Sequence, residues 1–254
     1  MLEILILSII QGVTEFLPIS SSSHLIIISE YLKFNEQNLS IDVSVHIGSF
    51  IAVITYFYKD IINFLYNKEL FFKILVSSLP VIIFGIILIE TNLIDALRNI
   101  KIIGMMTLIF GILLFISDKF KLNKNINNDF TFKTAIIIGL CQILSLIPGV
   151  SRSGITITAA RLLNFKRFDA AKISFLLSIP TLGAVSVFGV KNIIFSGDLN
   201  FSTLNLFSIT FSFIFSLITI KYFLNYIKSF SLSLFVIYRV ILGIILLTLA
   251  YSQY

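Results

Sequence analysis

QGVTEFLPISSSSH, residues 11–24, interrupts an otherwise oily N-terminal stretch (residues 2–33) with one proline and four consecutive serines. Crossing a hydrocarbon core about 30 Å thick takes about 20 helical residues, and each side of Leu17-Pro18-Ile19-Ser20 is shorter than that. Non-helical backbone at membrane depth survives only where protein buries it or where it lines a wet cavity. The stretch therefore reads as a re-entrant helical hairpin that enters and leaves by one side. The same punctuation returns in residues 133–163, broken at Pro148-Gly149-Val150-Ser151-Arg152-Ser153-Gly154. An offset of 130 lays Pro18 on Pro148, Ser21 on Ser151 and Ser23 on Ser153. Asp42 and Asp169, 127 apart, then open comparable long helices.

Around these two breaks lie six uninterrupted apolar segments, near 42–58, 73–92, 101–117, 170–190, 204–224 and 232–252. The chain of 254 residues is 57% hydrophobic and only 13% charged, with a mean hydropathy of +1.00. That is more oil than a soluble core of this size needs, so lipid is the solvent. A net charge of +6 without a dense basic run outside loops speaks for membrane topology and against nucleic acid. One cysteine, Cys141, excludes an intrachain disulfide and a cysteine metal cluster. Residues 1–10 lack a basic start and a small-residue cleavage site, so they read as mature protein.

The loop charges test this topology. If both hairpins return and each long helix crosses once, one face holds Lys59, Lys68, Lys73, Lys119, Lys121, Lys124, Lys133, Arg161, Lys166, Arg167, Lys172, Lys221 and Lys228. The other holds only Lys33, Arg98, Lys101 and Lys191. The positive-inside rule makes the first face cytoplasmic and both termini external. The expected fold is an all-α integral membrane protein of about ten helices, with six spans and two re-entrant hairpins. It forms one membrane domain over 1–254, as an inverted-topology repeat of about 1–117 and 131–252 joined by a basic cytoplasmic loop over 118–133. Such repeats place a polar site near the midplane, with helix N-termini facing an anion.

Gln11 and Glu15, four apart, share a helix face. A carboxylate in a membrane segment is costly and is a functional candidate by default. Pro18 ends its helix, Ser20 to Ser23 follow, and His24 comes within the next turns, three residues after Ser21 and beside Glu15. In the second break Ser145 replaces the carboxylate, and Arg152 appears within Ser151-Arg152-Ser153-Gly154. Glycine-permitted tight backbone, free N–H groups, a helix N-terminus and a guanidinium fork make an anion cradle there. Thr156 adds a hydroxyl one turn on. One half carries acid–base and metal-ligand groups, the other anion recognition. His46 reads as a hydrogen-bonded structural residue. Glu90, Asp95 and Arg98 read as interfacial charges, and Arg239 as a structural residue needing a buried acidic or carbonyl partner.

These motifs resemble the undecaprenyl-diphosphatase family, the BacA or UppP type of bacterial membrane phosphatases. The resemblance rests on Gln11 to His24, on Pro148 to Gly154 with Thr156, on His46-Ile-Gly48, on Phe175 to Pro180 and on Tyr238 to Gly243. Gln11 stands where many members carry Glu. The resemblance implies hydrolysis of undecaprenyl diphosphate to the monophosphate and inorganic phosphate, recycling the cell-wall lipid carrier and conferring bacitracin resistance. It also implies a divalent cation (magnesium or calcium), residence in the bacterial cytoplasmic membrane, and a site open to the external side. Glu15 and Gln11 would hold the metal. Ser20, Ser151, Arg152, Ser153 and Thr156 would bind the diphosphate. Glu15, Ser21, His24 and Arg152 would carry the chemistry. The nucleophile is Ser21, His24 or a water activated by Glu15 and His24, and spacing does not choose among them. The expected partners are the lipid diphosphate and membrane lipid, with room for a homodimer and no nucleic acid. The competing class is a flippase for the carrier lipid, which needs the anion site but no nucleophile and base.

Overall fold

A computed structural model of the chain describes residues 1–32, 39–64, 66–91, 93, 97–120, 123–195 and 202–252. Lys33 and Lys121, used to sort the loop charges, and Asp95 lie outside the described residues. The described residues form helices α1 (Leu2–Thr14), α2 (Ser21–Leu32), α3 (Leu39–Tyr56), α4 (Tyr58–Phe64), α5 (Lys68–Glu90) and α6 (Ile100–Asp118). The second half supplies α7 (Ile126–Asp129), α8 (Phe132–Gln142), α9 (Arg152–Leu162), α10 (Arg167–Phe195), α11 (Thr203–Ser229) and α12 (Ser233–Ser252). Six of these, α3, α5, α6, α10, α11 and α12, are long and apolar enough to cross a membrane. They coincide with the six apolar segments of the sequence. The expected count of about ten helices was too low: α4 and α7, each a turn or two long, occupy stretches read as loops.

The side chains are sorted as lipid would sort them. Large apolar groups cover the outside of the spans, with Val187 72% exposed and Leu79, Ile83 and Ile245 about half exposed. Small polar groups fill the inside, where a serine that cannot reach water finds a neighbouring helix instead. Ser212 Oγ donates to the Val45 carbonyl at 2.6 Å and Ser216 Oγ to Ser49 Oγ at 3.0 Å, joining α11 to α3. Ser77 Oγ donates to the Ala135 carbonyl at 2.9 Å, joining α5 to α8. The central element is α10, whose Ile173, Phe175, Leu176 and Leu177 are fully buried.

The contacts pair off. The broken helix α1 packs on α11, and the broken helix α8 packs on α5; α3 lies on α10 and α6 on α12. Both breaks end alike, with a serine held at positive φ just before the next helix: Ser20 at 77° and Ser151 at 72°. The structural register between the breaks is therefore 131, one more than the offset of 130 expected from the sequence. It matches Ser20 to Ser151, Ser21 to Arg152 and Gln11 to Gln142. Gly149, at φ 98°, is also required sterically, because a Cβ there would run into the Ile103 carbonyl of α6.

Away from the breaks, Asp118 ties the joining segment down. It accepts from Arg167 Nε at 2.6 Å and from the Leu232 amide at 2.9 Å, and lies 3.4 Å from Arg161 Nη2. One carboxylate thus gathers the ends of α6 and α9 and the starts of α10 and α12.

Candidate active site

The tips of the two broken hairpins touch, and side chains from each reach into the other. Glu15 sits just after α1 and is 7% exposed; Arg152 opens α9 with its side chain 13% exposed. Arg152 Nη2 donates to Glu15 Oε1 at 2.9 Å, while its Nη1 donates to the Ser174 carbonyl of α10 at 3.2 Å. On the other carboxylate oxygen, Glu15 Oε2 accepts from Gln11 Nε2 at 3.0 Å and from Ser21 Oγ at 2.8 Å. Ser153 Oγ donates to the Leu17 carbonyl at 2.7 Å, a second bridge between the tips.

Behind both tips lies Arg239 of α12, with none of its surface exposed. Its Nη1 donates to the Pro18 carbonyl at 3.2 Å, and its Nη2 to the Gly149 and Val150 carbonyls at 2.8 and 3.0 Å. Its Nε donates to the Thr107 carbonyl at 3.2 Å. Backbone that lost its helical partners at the two breaks recovers them from a single guanidinium, which meets the rule that buried carbonyls find donors. Gly154 makes the room, since a Cβ there would stand 2.7 Å from Nη1. The carbonyl partner expected for Arg239 is thus present four times.

In front of the tips is a cavity of about 190 Å³. Glu15, Ser20, Ser21 and Ser22 line it from the first hairpin, and Ser145, Ser151 and Arg152 from the second. The helices α3 and α10 complete it with His46, Thr181, Leu182 and Val185. His46 was read as structural. Its Nδ1 does bond the Asp42 carbonyl at 2.7 Å, but the ring also forms part of the cavity wall. Its distance in sequence from both breaks hid it; the His46-Ile-Gly48 motif was the signal. Thr181, directly after the helix-interior Pro180, was also missed.

Four sequence candidates lie elsewhere. His24 does not line the cavity. Its Nδ1 donates to the Ser20 carbonyl at 2.6 Å, and its Nε2 accepts from the Tyr238 hydroxyl at 2.5 Å. Both ring nitrogens are therefore occupied, one by the first tip and one by α12. Thr156 is fully buried, and its hydroxyl donates to the Arg152 carbonyl and Ser174 Oγ at 2.8 and 2.7 Å. Ser153 is likewise spent on Leu17. Gln11 is fully buried behind Glu15, and its Oε1 has no partner among the described residues.

Chemically, the cavity offers a hydroxyl hydrogen-bonded to a carboxylate, a guanidinium beside it and a ring of serine hydroxyls. Ser151 Oγ accepts from the Gly154 amide at 3.1 Å, so it caps α9 while bordering the cavity. Among the described residues no three His, Cys, Asp or Glu side chains gather as a metal cluster.

Residues 4–245 match the family described as bacitracin resistance protein BacA. The chain is 51% identical to an undecaprenyl-diphosphatase of Pelagibacter ubique (strain HTCC1062), over 99% of this chain and 98% of that protein. It is 40% identical to an undecaprenyl-diphosphatase of Jannaschia sp. (strain CCS1), over 97% of each. Against one from Teredinibacter turnerae the identity is 39%, over 97% of this chain and 98% of the other.

Proposed function

The chain belongs to the BacA family, and from that membership and the geometry of the hairpin tips we propose that it hydrolyses undecaprenyl diphosphate to undecaprenyl phosphate and inorganic phosphate. The relatives named above carry that activity in their names, and they support hydrolysis over carriage of the lipid. The protein is a multi-pass membrane phosphatase that returns the lipid carrier to cell-wall synthesis and confers bacitracin resistance. The fold is read as two repeats of opposite orientation, each with a re-entrant hairpin, in the bacterial cytoplasmic membrane with the site facing outward. The exchange of partners between α1 on α11 and α8 on α5 supports this, as does the shared left-handed serine at both breaks.

One observation carries the mechanism: Ser21 donates to Glu15, and Glu15 is paired with Arg152 across the two tips. The diphosphate draws the Arg152 fork toward itself, since phosphate satisfies a planar guanidinium as a carboxylate does. Glu15 then accepts the Ser21 proton as Oγ attacks the terminal phosphorus. The bond from that phosphorus to the bridging oxygen breaks, and undecaprenyl phosphate leaves with the electron pair. Glu15 passes the proton it took to the departing phosphate oxygen and is then free to deprotonate a water, which attacks the phosphoserine; inorganic phosphate departs and Glu15 returns the water's proton to Ser21 Oγ. Arg152 and the hydroxyls of Ser20 and Ser151 offset charge growing on the transferring group. Ser153 and Thr156 act from behind, fixing the tip on which Arg152 stands. His24 fixes Ser20.

A divalent cation fits the donor set, which is all oxygen: the Glu15 carboxylate and the orphaned Gln11 Oε1. Magnesium or calcium there would neutralise phosphate charge. The test is phosphate release from undecaprenyl diphosphate by the purified protein in detergent, with and without EDTA, beside Glu15→Ala and Arg152→Ala. Metal-dependent release, lost in both variants, is expected. No release from folded protein supplied with magnesium or calcium would overturn the reading.

A further inference from the structure

The end of the bundle away from Glu15 holds a second, larger cavity, of about 470 Å³. It is enclosed by the end of α3, by α4, by the first turns of α10 and by the last turns of α11. At 1.5 Å per residue, its Phe168 lies about 20 Å along α10 from the Thr181 of the candidate active site. The two cavities are separate.

Three lysines line it, Lys172, Lys221 and Lys228, against one carboxylate residue, Asp60. Lys172 Nζ is paired with Asp60 at 2.6 Å. Lys228 Nζ stands 5.3 Å over the Phe168 ring, and Lys221 has no hydrogen bond or ion pair among the described residues. Two positive charges are therefore left over beside aromatic walls. The positive-inside rule puts these lysines on one face of the bundle; their sharing of one cavity is a further feature. Lys221, Asn225 and Lys228, spaced by four and three, form one stripe on α11 facing the cavity. The same stripe continues toward the bundle's middle as exposed Ile218 and Ile214, 45% and 41% accessible. It is a polar tip on an apolar track.

We propose that this cavity binds the phosphate headgroup of an anionic membrane lipid, with the lipid's chains running along Ile218 and Ile214. The excess of two cations selects a negative headgroup. The apolar track selects a lipid over free phosphate, and Tyr56 and Tyr222 at the walls suit the boundary between headgroup and chains. The inference does not depend on the hydrolytic reading.

The test uses the full chain purified in neutral detergent, with native mass spectrometry counting retained lipid as phosphatidylglycerol or phosphatidylcholine is titrated in. Wild type should retain one phosphatidylglycerol in preference to phosphatidylcholine. Lys221→Gln with Lys228→Gln should weaken that retention about fivefold per lysine, about 25-fold together. Lys59→Gln with Lys119→Gln removes equal charge outside the cavity and should leave retention within about twofold. Thermal unfolding of each variant verifies that it is folded. Equal losses in both double variants, or none in the first, would overturn the site. Displacement of the lipid by excess inorganic phosphate would make it a small-anion site and overturn the lipid assignment.

Discussion

The first and second hairpin tips share one backbone device and differ in nearly every side chain that faces the cavity. Each ends on a left-handed serine, Ser20 or Ser151, and each turns the next residue forward. In the first tip that residue is Ser21, bonded to a carboxylate; in the second it is Arg152, bonded to the same carboxylate. Equivalent positions thus hold the proposed nucleophile and the proposed anion receptor. A backbone shape that costs strain need only be found once if a duplicated copy can be re-equipped. The strain is of order 1–3 kcal/mol for each non-glycine residue at positive φ.

If the tips divide chemistry from recognition, Ser21→Ala should lower kcat by about 10⁴-fold or more while leaving lipid affinity near that of wild type. Turnover close to the starting rate would transfer the nucleophile to water. Arg152→Lys keeps the charge and loses the fork, so a fall of about 10²- to 10³-fold in kcat/KM is expected, comparable to losing one charge-stabilising donor. An Arg152→Lys enzyme as fast as wild type would show that charge alone suffices at the second tip.

The shared backbone can be attacked as well. Arg239→Leu takes the guanidinium from four buried carbonyls, three of them at the breaks, and a loss of about 3–5 kcal/mol is expected, read as a lowered Tm in detergent. Gly149→Ala should cost about 2–3 kcal/mol, because it combines positive φ with the Ile103 carbonyl. Pro18→Ala, at the matching position of the first tip, should cost less, since a proline has no such close approach to lose. The smallest effect belongs to Tyr238→Phe, which removes the hydroxyl from His24. About 1 kcal/mol of stability and a few-fold of activity should go, measured by Tm and phosphate release. A loss as deep as that of Ser21→Ala would place His24 and Tyr238 in the chemistry itself.

The sequence disclosed the six spans and both breaks because hydropathy, proline and serine runs are local signals. It disclosed Glu15 and Arg152 because charge at membrane depth is costly enough to stand out. The register between the breaks was hidden. Four consecutive serines align with Ser151 and Ser153 equally well at neighbouring offsets, and only the sign of φ at Ser20 decides. The partner of His24 was hidden as well: Tyr238 of α12 is far away in sequence and meets the ring only through packing. His46 and Thr181 come to the cavity from α3 and α10 through packing, which for His46 only the His46-Ile-Gly48 motif signalled.

Arg239 has one more consequence, in the order of biosynthesis. A membrane chain is inserted from its N-terminus onward, and α12 follows both hairpins. Until α12 arrives, Pro18, Gly149 and Val150 hold three carbonyls that neither tip can satisfy for the other. The two tips are thus set by a residue made after everything they contain. A nascent chain arrested before Arg239 would carry every proposed catalytic side chain and still lack a formed site.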